Sequence, residues 1–410
     1  LQKRGLDHGN SVNDVYKTKL LQAPNQQPKS SQGRGDGPMN LADMLTFADI
    51  GQLNRIADYY QCECKPNSKH ELIQSILTTL GSRPFFEQQV RELNQVDLRF
   101  LNNLLFDTRQ YFGMEELVAI ARQSMDKKDS EAGASPRDLI VRFTKSGWLF
   151  NGTTQQTRYL YQVPKDLQMR FRDVLSTHLK AGIAQTNEPP VYRDEYHLLA
   201  DDLKLFLQFV QKHEISLNAE GMMYRRSQQQ IMEHLHVSEA LVGKAGWRFG
   251  YGRSFKDYPD RFAFIYDYAF HHRLVREEQG TLKLSPSGED KLGAEKTAEM
   301  IQLFRFWLRL YKGAIPNLSS LVYWTGECAA GWSTAESLFR QIGPYIQPFY
   351  YDTAETIYDN RVLKMMLHLG MLRIGEHAEG RTVQMTAWGS RLASSCRSLS
   401  GDITPVMFDK

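Results

Sequence analysis

Apolar positions from Met39 onward recur at helical spacing. NLADMLTFADIGQLNRIADYYQC puts Leu41, Met44, Leu45, Ile50, Leu53, Ile56 and Ala57 along one side of successive turns. CKPNSKHELIQSILTTL restarts the pattern: Asn67 or Ser68 caps, and Ser68 with Glu71 has the spacing of a capping box ahead of an Ile/Leu face. Further helix starts are predicted near Arg83, Gln95 and Met114, with the helical run ending near Met125. DKKDSEAGAS (126–135) carries no apolar period and reads as a hinge. Ser135-Pro136 then has the form of an N-cap followed by proline at the first helical position.

Beyond Pro136 the period switches between helical and alternating several times. PRDLIVRFTKSGWLFNGTTQQTRYLYQVPKDLQMRF predicts a helix to Ser146, Gly147 as its C-cap, then strand, turn and strand. ADDLKLFLQFVQKHEISLNAEGMMYRRSQQQIMEHL predicts a helix, a strand at ISLN, a turn at Gly221 and a helix. FAFIYDYAFHHRLVREEQGTLKLSPSGEDKL and NRVLKMMLHLGMLRIGEHAEGRTVQMTAWGSRL each predict helix, hairpin, helix, and align best with one another. Their shared phrase is LKLSPSGEDKL (282–292) and VQMTAWGSRL (383–392): an alternating apolar run, Ser or Thr, two residues, Gly, and a Leu within the next turn. Leu282, Leu284, Val383 and Met385 give each hairpin one apolar face. Ser285 and Thr386 are placed to cap the next helix, and Gly288 and Gly389 to let it lie close to the strand.

A helix followed by a two-stranded hairpin is the back half of a winged helix. The expected fold class is therefore mainly α with small β wings (α+β): tandem winged-helix domains preceded by a helical region. The expected organisation is a disordered tail (1–38), a helical region (39–125), a linker (126–135), winged-helix-like units at 136–182, 190–242 and 243–294, a C-terminal helical and winged-helix unit (295–400) and a tail (401–410).

The hairpin-to-helix joints, with ISLNAEGMMYRRSQQQIMEHL and its basic pair Arg225-Arg226, resemble the helicase-associated domain that precedes the motor in XPB-type helicases. The helix, polar loop and helix around SKHELI resemble, on a few apolar positions plus Lys69 and Leu72, the SAP and Rho-N-terminal type of nucleic-acid module; an ordinary helical hairpin fits the same residues. The first resemblance implies a DNA-binding protein, acting with a helicase or other DNA-maintenance partner on duplex or forked DNA. This chain departs from full helicases, because it has no G-x-x-x-x-G-K-[ST] loop and GKAGWRFGYG (243–252) does not replace one.

Charge complicates that expectation. The net charge is +3, and residues 1–37 carry all of it, with six Lys/Arg against three acids; the remainder holds 44 of each sign. Phosphate binding normally draws on a basic excess, so contact must come from local patches. The candidates are Lys69, Arg158 and Arg381 (the latter two in predicted wings), Arg225 and Arg226 at a helix start, and Arg248, Arg253 and Lys256 in WRFGYGRSFKDYPDR. That last stretch mixes Trp247, Phe249, Tyr251 and Phe255 with basic residues, a composition suited to stacking bases and tracking a backbone. A protein-interaction scaffold is the alternative that a charge-balanced body favours.

No set of residues points to catalysis, a metal or a cofactor. Cys62-x-Cys64 near His70 lacks a fourth ligand at matching spacing. His271-His272 and His234-x-His236 read as cation-friendly helix C-termini. The aromatic runs FRFWLRLY (304–311) and IQPFYYDTAETIY (346–358) read as core. No stretch of eighteen apolar residues occurs, and four cysteines suit a reducing cytoplasm better than a disulfide framework.

Overall fold

In the computed structural model, which describes residues 39–107, 109–126, 133, 135–243, 248–378 and 380–397, the expected caps set the helix starts. The N-terminal elements are α1 (Leu41–Phe47), α2 (Ile50–Tyr59), α3 (Lys69–Gly81), α4 (Arg83–Arg91), α5 (Gln95–Phe106), α6 (Met114–Ser124) and α7 (Pro136–Lys145). Ser68 Oγ accepts the amide of Glu71 at 3.3 Å, and Ser135 Oγ accepts that of Arg137 ahead of Pro136. Each bond satisfies an amide that the helix itself cannot. α2 and α3 form the anticipated helical hairpin over Leu53, Ile56, Leu72 and Ile76, all buried. The tails at 1–38 and 401–410, most of the 126–135 linker, and Trp247 lie outside the described residues.

From α5 onward one order of elements recurs three times among the described residues: helix, short strand, helix, helix, hairpin, helix. The first pass is α5, a single bridging residue at Phe112, α6, α7, β1 (Phe150–Asn151), β2 (Tyr161–Gln162) and α8 (Lys165–Ala181). After β3 (Tyr192–Arg193), the second pass is α9 (Leu198–Lys212), β4 (Ile215–Ser216), α10 (Arg225–His234), α11 (Asp260–His271), β5 (Val275–Glu278), β6 (Thr281–Leu284) and α12 (Pro286–Lys291). After α13 (Lys296–Tyr311), the third is α14 (Leu318–Cys328), β7 (Ser333–Thr334), α15 (Ala335–Ile342), α16, β8 (Leu372–His377), β9 (Gly380–Met385) and α17 (Ala387–Ser395). Helix α16 runs from Ala354 to His368 and widens to π turns over Ile357–Leu363.

In every pass the leading strand pairs antiparallel with the second hairpin strand: Phe112 with Tyr161, Ile215 with Leu282, Ser333 with Val383. The sheet orders are β4-β6-β5 and β3-β8-β9-β7. The repeating units therefore span about 95–181, 198–292 and 318–395. The predicted boundary between 190–242 and 243–294 falls inside one sheet, and the predicted unit 136–182 takes in α5 and α6 upstream. Two-residue strands carry too little pattern to announce a distant partner, so the grouping is set by pairing.

The joint shared by the second and third passes is the same structure twice. At the end of α11, Arg273 takes φ +54°; at the end of α16, Gly370 takes +64°. The next amide closes a wide C-terminal turn, Leu274 to Ala269 O and Met371 to Met366 O, both at 2.8 Å. Past the hairpin, the Ser285 amide donates to Leu274 O at 3.0 Å and that of Thr386 to Met371 O at 2.9 Å. Ser285 Oγ then accepts from Gly288 N at 3.0 Å, and Thr386 Oγ1 from Gly389 N at 2.9 Å. A Cβ on Gly288 would lie 2.2 Å from Leu274 O, and one on Gly389 1.8 Å from Met371 O. The glycine is required by a carbonyl that already serves the cap residue.

The fold is mainly helical with small antiparallel sheets. Phe304, Phe306, Trp307 and Tyr311 of α13 are buried, as are Ile346, Ile357 and Tyr358, whereas Tyr350 and Tyr351 are exposed. Among the described residues no helix is long and apolar enough to cross a membrane.

Candidate nucleic-acid interface

The third helix of each pass and the hairpin that follows it differ sharply in exposure. In α7, Leu139, Ile140 and Phe143 are buried, with the Phe143 ring edge-on to Phe100 at 4.9 Å. The opposite face shows Arg137, Asp138, Val141, Arg142 and Lys145 to solvent. Arg137, Val141 and Lys145 sit at four-residue steps and so line up along the helix. Arg142 forms an ion pair with Asp97. In the loop between β1 and β2, the Arg158 guanidinium lies 4.6 Å from the ring centroid of Tyr159, which is 70% exposed. In α11, by contrast, every residue from Arg261 to Ala269 is buried, and α16 is buried from Arg361 to Leu363 and from Met365 to His368. α11 has no face to offer a groove, and on α16 only Glu355 and Asn360 are fully exposed, with Lys364 half-buried.

The predicted contact residues scatter over the molecule. Lys69 opens α3 and donates Nζ to Thr46 O at 2.8 Å. Arg225 opens α10 and donates to Val242 O at 2.9 Å, with Arg226 exposed beside it. Arg248 is spent inside the fold, donating to Phe255 O at 2.7 Å and Tyr258 O at 2.5 Å and pairing with Asp260. Arg253 holds Glu277 with two bonds of 2.8 and 2.9 Å and lies 4.0 Å over the Phe270 ring. Lys256 is exposed, 5.9 Å from the Phe255 ring centroid. Arg381 pairs with Asp359. In the 248–260 loop, two of the three charges are thus neutralised where they stand. Its aromatic rings pack inward, Tyr251 on Tyr311 at 4.9 Å and on Phe349 at 5.8 Å. Arg137 and Lys145 were not singled out by the sequence, although their four-residue steps from Val141 were visible in it.

Where the second pass meets β3 and α16, a charged cluster is buried. Arg261 reaches Asp202 at 2.5 Å and Glu195 at 3.3 Å; Glu195 also meets Arg193 at 2.5 Å and His368 Nδ1 at 2.8 Å. Asp202 further accepts the amides of His236 and Val237. Burial would raise the Glu195 carboxyl, but His368, Arg261 and Arg193 outweigh it and hold it at about 2. Beside the cluster lies a cavity of about 530 Å3. Asp267 is the opposite case: burial pushes it up to about 6 even though it accepts the amides of Arg253 and Ser254.

One histidine expectation changes. Burial, and then the neighbouring charges of His271, Arg309 and Lys291, lower His272 to about 4, so the end of α11 carries a neutral ring packed on Tyr268 at 4.4 Å. Among the described residues no group of three His, Cys, Asp or Glu side chains could hold a metal ion. Cys62 Sγ instead lies 3.5 Å from Thr79 Oγ1. Comparison with family models, curated proteins and solved structures finds no match for this chain.

Proposed function

We propose that this chain is a non-enzymatic DNA-binding protein built from three tandem winged helices, contacting duplex or forked DNA through the first of them. The order helix, strand, helix, helix, hairpin, with the leading strand on the outer side of the second hairpin strand, supports the winged-helix reading of each pass. The observation that carries the assignment is the open face of α7 with the β1–β2 loop: Arg137, Val141, Lys145 and Arg158 present charge and one apolar contact on the helix and hairpin a winged helix uses. The resemblance to helicase-associated domains supports a helicase or other DNA-maintenance partner that supplies the motor. The four free cysteines favour a reducing cytoplasm.

Fluorescence anisotropy with a labelled duplex and a fork, at low and then higher salt, tests this. Affinity falls along a log–log line with salt, and Arg137→Ala with Lys145→Ala and Arg158→Ala lowers both the affinity and the steepness of that line, by about one unit per lost phosphate contact. An unchanged titration in the triple variant removes the interface. The buried third helices α11 and α16 favour a second role for the other two passes, as a scaffold whose exposed surfaces meet proteins. Binding of neither duplex nor fork would leave that scaffold reading for the whole chain.

A further inference from the structure

The cavity between the second pass and α16 has the makings of a ligand site. Arg193, Glu239, Arg248, Asp260, Lys364 and His368 line it. Its two carboxylates are already engaged: Glu239 accepts the amides of Arg261 and Phe262 at 3.1 and 3.0 Å, and Asp260 is shared between Arg248 and Lys364. Lys364 uses one of its three N–H groups on Asp260, and half of the Arg193 side chain stays exposed despite its pair with Glu195. Arg193 and Lys364 therefore keep N–H groups that an anion would take up. His368 adds a separate signal. It is 3% exposed, its Nδ1 is bound to Glu195, and its Nε2 has no partner. Nδ1 is held by the Glu195 carboxylate, and the buried Nε2 on the other side of the ring is placed to bond a ligand hydroxyl, which can donate or accept.

Aromatic rings come next along the chain. Phe249 follows Arg248, its carbonyl accepts from Arg361 at 2.9 Å, and Arg361 precedes Lys364 by one turn of α16. The Phe249 ring lies 6.1 Å from Tyr350 and 5.5 Å from Tyr351, which are 82% and 69% exposed. Tyr350 holds φ +49° to stand there. The π turns of α16 lie between these rings and Lys364, a helix distortion often found at functional sites.

From this convergence of cations, an orphaned imidazole nitrogen and exposed rings, we infer that the cavity binds a nucleoside monophosphate group, either free or at the end of a nucleic-acid strand. The phosphate sits on Arg193 and Lys364, the 3′-hydroxyl of a free nucleotide faces His368, and the base stacks at Tyr351. The volume is ample for one nucleotide. The strand-end form rests on the DNA-binding reading; the free form does not.

Calorimetric titration with thymidine 5′-monophosphate and with thymidine, and anisotropy with a short 3′-labelled oligothymidylate with and without a 5′-phosphate, test it on the full chain. The phosphate-bearing member of at least one pair binds at least about tenfold tighter than its counterpart, and Lys364→Gln or Arg193→Gln abolishes the difference at an unchanged melting temperature. Binding of the mononucleotide to the level of the oligonucleotide identifies the free form; a clear preference for the phosphorylated oligonucleotide identifies the strand end. Should Arg193→Gln unfold the protein by releasing Glu195, Lys364→Gln carries the test, because Arg248 still holds Asp260. Equal binding within both pairs, or a preference retained in the folded Lys364→Gln protein, overturns the inference. A hydroxyl-ended duplex that still depends on Arg137, Lys145 and Arg158 in the Lys364→Gln background separates this outcome from a failure of the α7 interface.

Discussion

Gly389→Ala and Gly81→Ala are the same substitution in two helices and should change stability in opposite directions. Within a helix, alanine is favoured over glycine by up to about 1 kcal/mol, because glycine loses more backbone freedom on folding. Gly81, the last residue of α3, has nothing within 4 Å of the point where a methyl carbon would sit, so it should show that gain. At Gly389 the new carbon would lie 1.8 Å from Met371 O, where ordinary contact begins near 3.4 Å. The obstacle is backbone and cannot rotate away, and the same carbonyl accepts the amide of Thr386 at 2.9 Å. Relief requires α17 to move off the hairpin, weakening the Thr386 cap, worth about 1 kcal/mol, and the packing of buried Trp388 and Leu392. Overpacking typically costs about 1–3 kcal/mol, which with the cap gives a net loss of about 1–3 kcal/mol after the helix gain. A unit the size of Pro38–Lys410 has an unfolding entropy of about 0.8 kcal/mol per degree. Gly389→Ala should then melt about 1–4 °C lower, and Gly81→Ala about 1 °C higher. Differential scanning calorimetry with matched urea titrations reads both. If Gly389→Ala melts with or above the parent protein, the joint is not held by close approach and its repetition loses its physical reason.

Glu195 titrates at about 2 in the fold against roughly 4.3 when unfolded. Its stabilisation, up to about 3 kcal/mol, is complete above that unfolded value and is lost as pH falls towards 2; urea midpoints in that window should vary less in Glu195→Gln, and parallel curves would contradict the assignment. Arg261→Met leaves Asp202 and Glu195 buried beside an apolar side chain and should cost about 3–5 kcal/mol, read as a lowered denaturant midpoint; a loss below about 1 kcal/mol would mean the cluster is hydrated. Cys328 and Cys396 are buried, with thiols pushed up to about 12 by burial, so a thiol reagent should leave both unmodified until the protein unfolds, and mass spectrometry of the native labelled protein showing either one modified would refute that.

Short-range features were legible. Ser68, Ser135, Ser285 and Thr386 cap where local spacing placed them, because each cap bond spans two or three residues. The hairpins at 275–284 and 372–385 follow from alternation within a few residues. Grouping into units was not legible: Ile215-Ser216 has no pattern until it meets Thr281 and Leu282. The basic residues failed as a guide for the same reason. Arg248 and Arg253 look available until Asp260 and Glu277 are brought to them. One clue was present and unused. RFAFIYDYA has no polar side, and a helix apolar all round belongs inside.

Strand β3 belongs by sequence to the stretch before the second pass, yet it completes the sheet of the third. Tyr192 pairs with Gly375, Asp194 with Arg373 and Glu195 with His368. During synthesis, Tyr192 and Asp194 must wait until the second pass and most of the third have been made before Gly375 and Arg373 exist. Premature termination before β8 would leave Asp194 without Arg373 and Tyr192 without its sheet partner, so shortened products should be open to proteolysis even where their own helices are intact.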